Sequence, residues 1–361
     1  MSTLKVNAIS DAAGANGNAI ALATDGTCTA KITNNLSNRN LLINGACLLD
    51  QRNGGSSVTS GFAIDRTQIE GFDGGGSGTA QQVSDGPSGF TKSLKITVTG
   101  TDTSLASTDF YTLRQIIEGQ NVSFLGFGAS GGTSVTLSFW VKSSLTGTFS
   151  CSIGNGGNDR SYPKTYTISS ADTWEKKTLT FPAATDGTWG TDNGRGIAVR
   201  WSLGAGSGRL GTADQWNSSQ DHGATGTTNL FATNGATFFI TGLQLEAGDF
   251  ASDFCHEPYS ETLRKCERYY QFAKGGGGIT SGSGGYALRV PLAPTMRATP
   301  SAAIVDGSNA IDELWVSERN ITSISVYRGS SNSVGIAGNS NAGNDKIINI
   351  EPNKVSLSAE L

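Results

Sequence analysis

The chain has 361 residues and a formal net charge of −4; 49 residues are glycine, 8 proline, 5 cysteine and 2 histidine. Only 16% are charged, against roughly 25% in ordinary soluble domains, while 36% are hydrophobic. A collagen-like chain is excluded because runs such as Gly74-Gly75-Gly76 follow no three-residue period, and wholesale disorder because aromatics are spread along the length. No basic cluster could neutralise a row of phosphates, so nucleic acid is not an expected partner. Met1 to Asn18 has neither a basic start nor an apolar run, so no secretion signal is expected. No stretch of about 18 apolar residues predicts a membrane span. Cys28, Cys47, Cys151, Cys255 and Cys266 fall at no metal-ligand or disulfide-framework spacing, and His222 and His256 supply none, so neither metal nor cofactor is expected.

Residues 1–40 are small and polar, with short strand-like pieces at Leu4-Lys5-Val6 and Ala19 to Ala23. Such a segment cannot bury a core alone and reads either as a flexible tail or as a segment that orders against a partner. The pattern changes at Leu41-Leu42-Ile43-Asn44-Gly45. From there to residue 259 the chain reads as strands separated by glycine-rich turns: Phe90 to Val98, Tyr111 to Glu118, Ser134 to Ser143, Phe149 to Ile153, Lys164 to Ile168, Trp174 to Phe181, Ile197 to Leu203 and Thr237 to Glu246. Leu137, Phe139 and Val141 alternate with Ser138, Trp140 and Lys142, and Ile197, Val199, Trp201 and Leu203 fall in one register. Period-two alternation in short runs bounded by Gly, Asn and Asp predicts an all-β fold, a jelly roll or β-sandwich over 41–259. Trp174 and Trp201 read as core.

Pro258 to Tyr270 breaks the pattern, with Leu263, Cys266, Tyr269 and Tyr270 at three- to four-residue spacing. Ser260 suits a cap and Glu261 a first turn, so 260–274 reads as a short helix followed by a glycine hinge at Gly275 to Gly278. The remainder, 275–361, reads as a second, small β domain with strands at Tyr286 to Leu292, Ser301 to Val305, Ile321 to Tyr327 and Lys346 to Ile350. Its thin core would gain from pairing with copies of itself.

Two segments, Gly126 to Gly131 and Gly206 to Gly211, match the G-x-G-x-x-G pattern, but neither lies between a strand and a helix of an alternating chain. A nucleophile elbow at Gly128-Ala129-Ser130-Gly131-Gly132 lacks the following helix. Paired carboxylates for glycoside cleavage could come from Asp159, Asp172, Glu175, Asp192 and Asp214, yet most flank turns, where acids bond the local backbone. Loop tryptophans carry more. Trp189 and Trp216 sit among Asp, Asn, Gln and Gly, and an indole face stacks on a sugar ring while such neighbours bond its hydroxyls. The glycan-binding residues expected on this basis are Trp189, Trp216, Asp192, Asn193 and Arg195, with Trp140 behind them. The competing structural reading has Trp140 packing beneath a loop and Trp189 pinning its own.

Asn40-Leu41-Leu42-Ile43-Asn44-Gly45-Ala46 followed by Asp50-Gln51-Arg52-Asn53-Gly54 resembles tailed-bacteriophage tail fibres and receptor-binding proteins. The resemblance continues through Tyr111 to Gly119, Leu137 to Lys142, Ala171 to Lys177 and Phe239 to Gly248, and ends in Glu257-Pro258-Tyr259 and Cys266 to Tyr270. It covers residues 40–272 and extends to Ser2 to Asn7 and the closing Ser358-Ala359-Glu360-Leu361. The strand order and the closing Gln-Leu-Glu strand are also similar to carbohydrate-binding modules with a jelly-roll fold. The resemblance implies a virion component, made in the host cytoplasm, that is a homotrimer attached to tail or baseplate through residues 1–40 and touching the bacterial surface with its outer part. Together with the loop tryptophans it reads as an adhesin that holds host surface polysaccharide without cutting it. A tailspike-type depolymerase and a purely structural tail adaptor are the alternatives.

Overall fold

The computed structural model describes residues 8–10, 18–22, 28–30, 39–71, 75–281, 285–305, 308, 310–313, 317–342 and 347–361. Three short strands come first, β1 (Ala8–Ser10), β2 (Asn18–Leu22) and β3 (Cys28–Ala30), forming an antiparallel sheet in that order. The strand expected at Ala19 to Ala23 is β2; the piece at Leu4 to Val6 lies outside the described residues.

The chain continues with β4 (Gly61–Ile64), β5 (Thr67–Glu70), β6 (Ser77–Val83), β7 (Ser93–Gly100), β8 (Phe110–Glu118), β9 (Val135–Ser143) and β10 (Gly147–Asn155). Next come β11 (Ser161–Ile168), β12 (Glu175–Phe181), β13 (Arg195–Ala205), the short β14 (Leu210–Gly211) and β15 (Gly223–Ala224), and β16 (Thr237–Ala247). They build a six-stranded sheet ordered β11-β10-β13-β8-β5-β4 and a five-stranded sheet ordered β12-β9-β16-β7-β6. Among β7 to β13 and β16 the chain changes sheet at every step except β10 to β11, and all pairings in these two sheets are antiparallel. That connectivity is a jelly roll.

Alternation fills the space between the sheets. Leu94, Ile96 and Val98 of β7, Leu137, Phe139 and Val141 of β9, and Ile197, Val199, Trp201 and Leu203 of β13 are all buried in one cluster. Trp201 stands edge-on to Phe139, with ring centroids 6.1 Å apart. Trp174 is not part of this core. It stands half-buried at the start of the edge strand β12, and its Nε1 donates to Asp85 at 3.3 Å. An edge position with an acidic partner lets the polar tip of the indole stay outside.

One helix follows, α1 (Tyr259–Glu267), with Glu261 in its first turn and Arg264 and Lys265 in its last. Its N-cap is Pro258 rather than Ser260. It is shorter than the apolar spacing implies because Tyr270 opens a strand, β17 (Tyr270–Phe272). The C-terminal region adds β18 (Gly277–Ser281), β19 (Gly285–Pro291), β20 (Ser301–Ile304), β21 (Ile311–Glu313), β22 (Ser317–Arg319), β23 (Ser325–Gly329), β24 (Ser333–Asn339), β25 (Ile347–Ile350) and β26 (Val355–Ser358). Seven of these form a sheet ordered β22-β21-β25-β18-β19-β24-β23, and β17-β26-β20 form a smaller one over a shared core that includes Leu288, Val290, Met296, Ile336, Ile348 and Leu357. Gly277 and Gly278 are thus not a hinge but part of a central strand. A Cβ on Gly278 would stand 1.9 Å from the Ala287 carbonyl oxygen, so glycine is what lets β18 and β19 approach there.

The two β regions are joined by a polar clamp. Glu118 at the end of β8 is fully buried and accepts from Arg268 Nε and Nη2, both at 2.7 Å, and from the Tyr269 hydroxyl at 2.5 Å. Arg66 pairs with Glu360, and its guanidinium lies 3.5 Å from the centre of the Tyr269 ring. Arg52 bonds Glu360 at 2.9 Å.

Candidate functional site

Trp189 and Trp216, far apart in the chain, meet at one edge of the jelly roll with ring centroids 5.6 Å apart and planes at 85°. Tyr162 of β11 packs edge-on to Trp216 at 5.3 Å, and Phe127 packs edge-on to Trp189 at 4.8 Å and to Trp216 at 6.1 Å. Both indoles are half-buried, so each keeps part of its ring at the surface. Sterics explain how the loops close. Gly128 has φ +93°, and a Cβ there would stand 3.0 Å from Trp189 Cδ1 and 2.9 Å from the Gly187 carbonyl oxygen. The first G-x-G-x-x-G match therefore makes room for an indole, and Gly128 N bonds the Ala184 carbonyl at 2.8 Å. The second match is likewise a packing feature: a Cβ on Gly206 would lie 1.8 Å from the Ala106 carbonyl oxygen.

Polar groups rim the indoles. Arg160 donates twice to the Asp186 carboxylate, at 2.9 and 2.7 Å, and Trp189 Nε1 donates to the Asp186 carbonyl oxygen at 3.0 Å. The Arg160 hydrogen bonds hold Asp186 below the usual carboxylate range. Lys164 pairs with Asp214 at 2.5 Å, and the acids are the open members of the two pairs, at 60% and 56% exposed. An arrangement of edge-exposed rings flanked by bidentate and monodentate ion pairs offers stacking surface and hydrogen-bond partners together.

The other expected contacts are placed elsewhere. Asp192 Oδ1 accepts from Gly194 N at 2.8 Å, and the Asp192 carbonyl accepts from Gln120 N. Asn193 Nδ2 donates to the Arg297 carbonyl at 2.9 Å, and Arg297 Nη1 returns a bond to the Asn193 carbonyl, so this side chain ties the two β regions together. Arg195 opens β13 opposite Glu118 and is exposed. Trp140 stands on the outer face of the five-stranded sheet, between Lys176 and Thr241 in register. On that face Lys142 lies 4.3 Å from the Phe239 ring centre and 5.2 Å from that of Trp174, while bonding Asp85 at 2.6 Å. Phe127, Tyr162, Arg160 and Lys164 were not among the expected residues. Phe127 lies inside the first glycine-rich match, and no local pattern marks Tyr162, Arg160 or Lys164.

The outer face of the six-stranded sheet is covered by residues 207–224. Ser152 Oγ donates to the Asp221 carbonyl at 2.9 Å, and Ala224 N to Ser150 Oγ at 3.0 Å. Arg200, beneath this cover, is 1% exposed, and His222, within it, is 2% exposed. Burial first, then the positive charges of Arg200, Arg209 and Arg114, push His222 down to about 3, and burial brings Arg200 down to about 10.

Four of the five acids considered for hydrolysis are engaged, Asp192 by Gly194 N and Asp214 by Lys164 as described above, and Asp159 and Glu175 by near neighbours. Asp159 accepts from Asn155 Nδ2 at 2.6 Å, Glu175 from Lys177 and from the Ser169 and Ser170 amides, and Asp172 sits at a turn with φ +53°. Among the described residues no group of three or more His, Cys, Asp or Glu side chains is arranged to hold a metal ion, and no helix is long and apolar enough to cross a membrane.

No family model and no curated protein matches the chain. Among solved structures it is similar to the enzymatically active domain of bacteriophage CBA120 tailspike protein 4, at 14% identity and TM-score 0.30, over 58% of this chain and 21% of that one. It is also similar to TmCBM61 in complex with beta-1,4-galactotriose, at 13% identity and TM-score 0.28, over 58% of this chain and 99% of that one. A family 11 carbohydrate-binding module of Clostridium thermocellum gives 10% identity and TM-score 0.28, over 56% and 99%. The chain thus spans about a fifth of the tailspike chain it resembles. The jelly-roll assignment stands on the strand order and register given above.

Proposed function

We propose that the jelly-roll region binds a glycan without cleaving it, through the Trp189–Trp216 edge, and that the protein serves a phage tail in attachment to host surface polysaccharide. The observation that carries the glycan reading is the meeting of two half-buried indoles from separate loops beside two exposed ion pairs. A sugar presents its C–H face to an indole, and its hydroxyls exchange bonds with Asp186, Arg160 and Asp214. The local engagement of Asp159, Glu175 and Asp192 and the pairing of Asp214 with Lys164 support binding rather than hydrolysis, which needs two carboxyls facing one bond. The attachment role rests on the sequence resemblance over residues 40–272, and with it a homotrimer held to the tail by residues 1–40. Three copies would multiply a weak single-site affinity.

Trp189→Ala is the discriminating variant, because Trp216 is packed on three aromatic sides and its loss would also disturb the fold. Trp189→Ala is expected to weaken adsorption to host cells, or retention on the host polysaccharide in an affinity gel, by about tenfold, with the protein still folded at the assay temperature. Incubation with that polysaccharide is expected to release no reducing sugar. Unchanged adsorption would remove the indole edge from the binding surface, and released sugar would replace binding by cleavage.

A further inference from the structure

A depression of about 250 Å³ lies on the C-terminal seven-stranded sheet and is lined by Arg289, Tyr327, Arg328, Ser330, Ser333 and Gly335. Three strands build it. Gly335 of β24 pairs with Arg289 of β19 on one side and with Arg328 of the edge strand β23 on the other. The register of β23 slips between Val326 and Arg328, so Tyr327 is an extra residue opposite β24, a bulge of the kind that re-aims a side chain. Its ring lies over Gly335, where a Cβ would stand 2.8 Å from the ring, and it remains 52% exposed. Glycine therefore lets the Tyr327 ring lie down between two cations whose backbones are about 10 Å apart, two strand spacings. Arg289 is oriented by a bond from Nη2 to Ser333 Oγ at 3.0 Å. Among the described residues neither Arg289 nor Arg328 has an acidic partner, whereas the arginines at the indole edge and in the clamp are paired.

We propose that this notch is a binding site for a carboxylate-bearing sugar, separate from the indole edge and independent of the reading given to it. The carboxylate bridges the Arg289 and Arg328 guanidinium groups, which match its geometry, the ring lies against Tyr327, and Ser330 and Ser333 meet hydroxyls. The full chain is titrated with an oligoglucuronate, with an oligoglucose of the same length, and with inorganic phosphate. Binding of the oligoglucuronate is expected at least tenfold tighter than of either control. Arg328→Gln and Tyr327→Ala are each expected to weaken it at least tenfold, and Trp189→Ala to leave it unchanged. Gly335→Ala, which keeps both cations but pushes the Tyr327 ring off the strand, is expected to weaken it as well. All four positions are followed by thermal unfolding, and where one variant unfolds early the remaining ones decide. Oligoglucose binding as tightly, phosphate binding as tightly, or an affinity untouched by Arg328→Gln and Tyr327→Ala would each overturn the proposal. Loss of binding in Trp189→Ala alone would move the acidic sugar to the indole edge.

Discussion

Glu118→Ala is expected to lower the free energy of unfolding by about 3 kcal/mol, since removing one partner of a buried pair strands the other. Glu118 has no exposed surface and receives three hydrogen bonds from the C-terminal region, two from Arg268 and one from Tyr269, besides one from Gln120 at 2.8 Å. Burial by itself would raise its carboxyl, but the Arg268 and Tyr269 bonds outweigh burial and hold it below the ordinary range. With the carboxylate gone, the Tyr269 hydroxyl, in a residue 1% exposed, loses its acceptor, while the 30%-exposed Arg268 side chain can turn to water, which keeps the loss near the lower end of such cases. Urea midpoints of Glu118→Ala, Arg268→Ala and the double variant form a cycle whose coupling is expected to be about 2 kcal/mol. A single-variant loss under about 1 kcal/mol would show that Arg66–Glu360 and Arg297–Asn193 suffice to hold the two β regions. Protease cleavage between the helix and β18 should rise in Glu118→Ala and not in Trp189→Ala.

What sequence pattern revealed here follows from side-chain period. Leu137, Phe139 and Val141 alternate with Ser138, Trp140 and Lys142 because one face of β9 meets the core and the other meets water or a cover, and that difference is written residue by residue. β5 and β6 escape such reading. In β5 only Ile69 is apolar, and in β6 the buried face is carried by Gly78 and Ala80, too small to mark a period. β18 escapes because its glycines, which read as a break, serve a close strand crossing. The indole edge was legible as two loops of the right composition, not as one surface. No local pattern shows that Trp216 seats between Tyr162 and Trp189. Asn193 has the loop chemistry of a sugar ligand and is instead bound to Arg297, a residue whose own neighbourhood carries no sign of the jelly roll. Long-range polar pairs of this kind depend on tertiary geometry, which short-range period does not encode.

His222 is expected to make the jelly roll acid-sensitive. In the unfolded chain an imidazole takes up its proton near pH 6.5; in the fold, burial first and then Arg200, Arg209 and Arg114 push it down to about 3. Between those values the unfolded chain binds a proton that the fold refuses, so the stability present above pH 6.5 is lost as pH falls toward 3. From pH 7 to pH 5 this amounts to about 2 kcal/mol. Asp65 works in the opposite direction. Burial raises it to about 6 against bonds and charge from Gln51 and Arg52, so its protonation favours the fold as pH drops through 6. The whole-protein profile therefore understates the histidine, and the difference between wild type and His222→Phe isolates it. The phenylalanine ring can occupy the same buried place, where the imidazole centroid lies 4.0 Å from that of Phe110. Urea unfolding at pH 7 and pH 5 should show wild type losing about 2 kcal/mol relative to the variant over that interval. Parallel losses in both proteins would mean that the histidine is hydrated in solution, and then the cover of residues 207–224 over Arg200 must open as well.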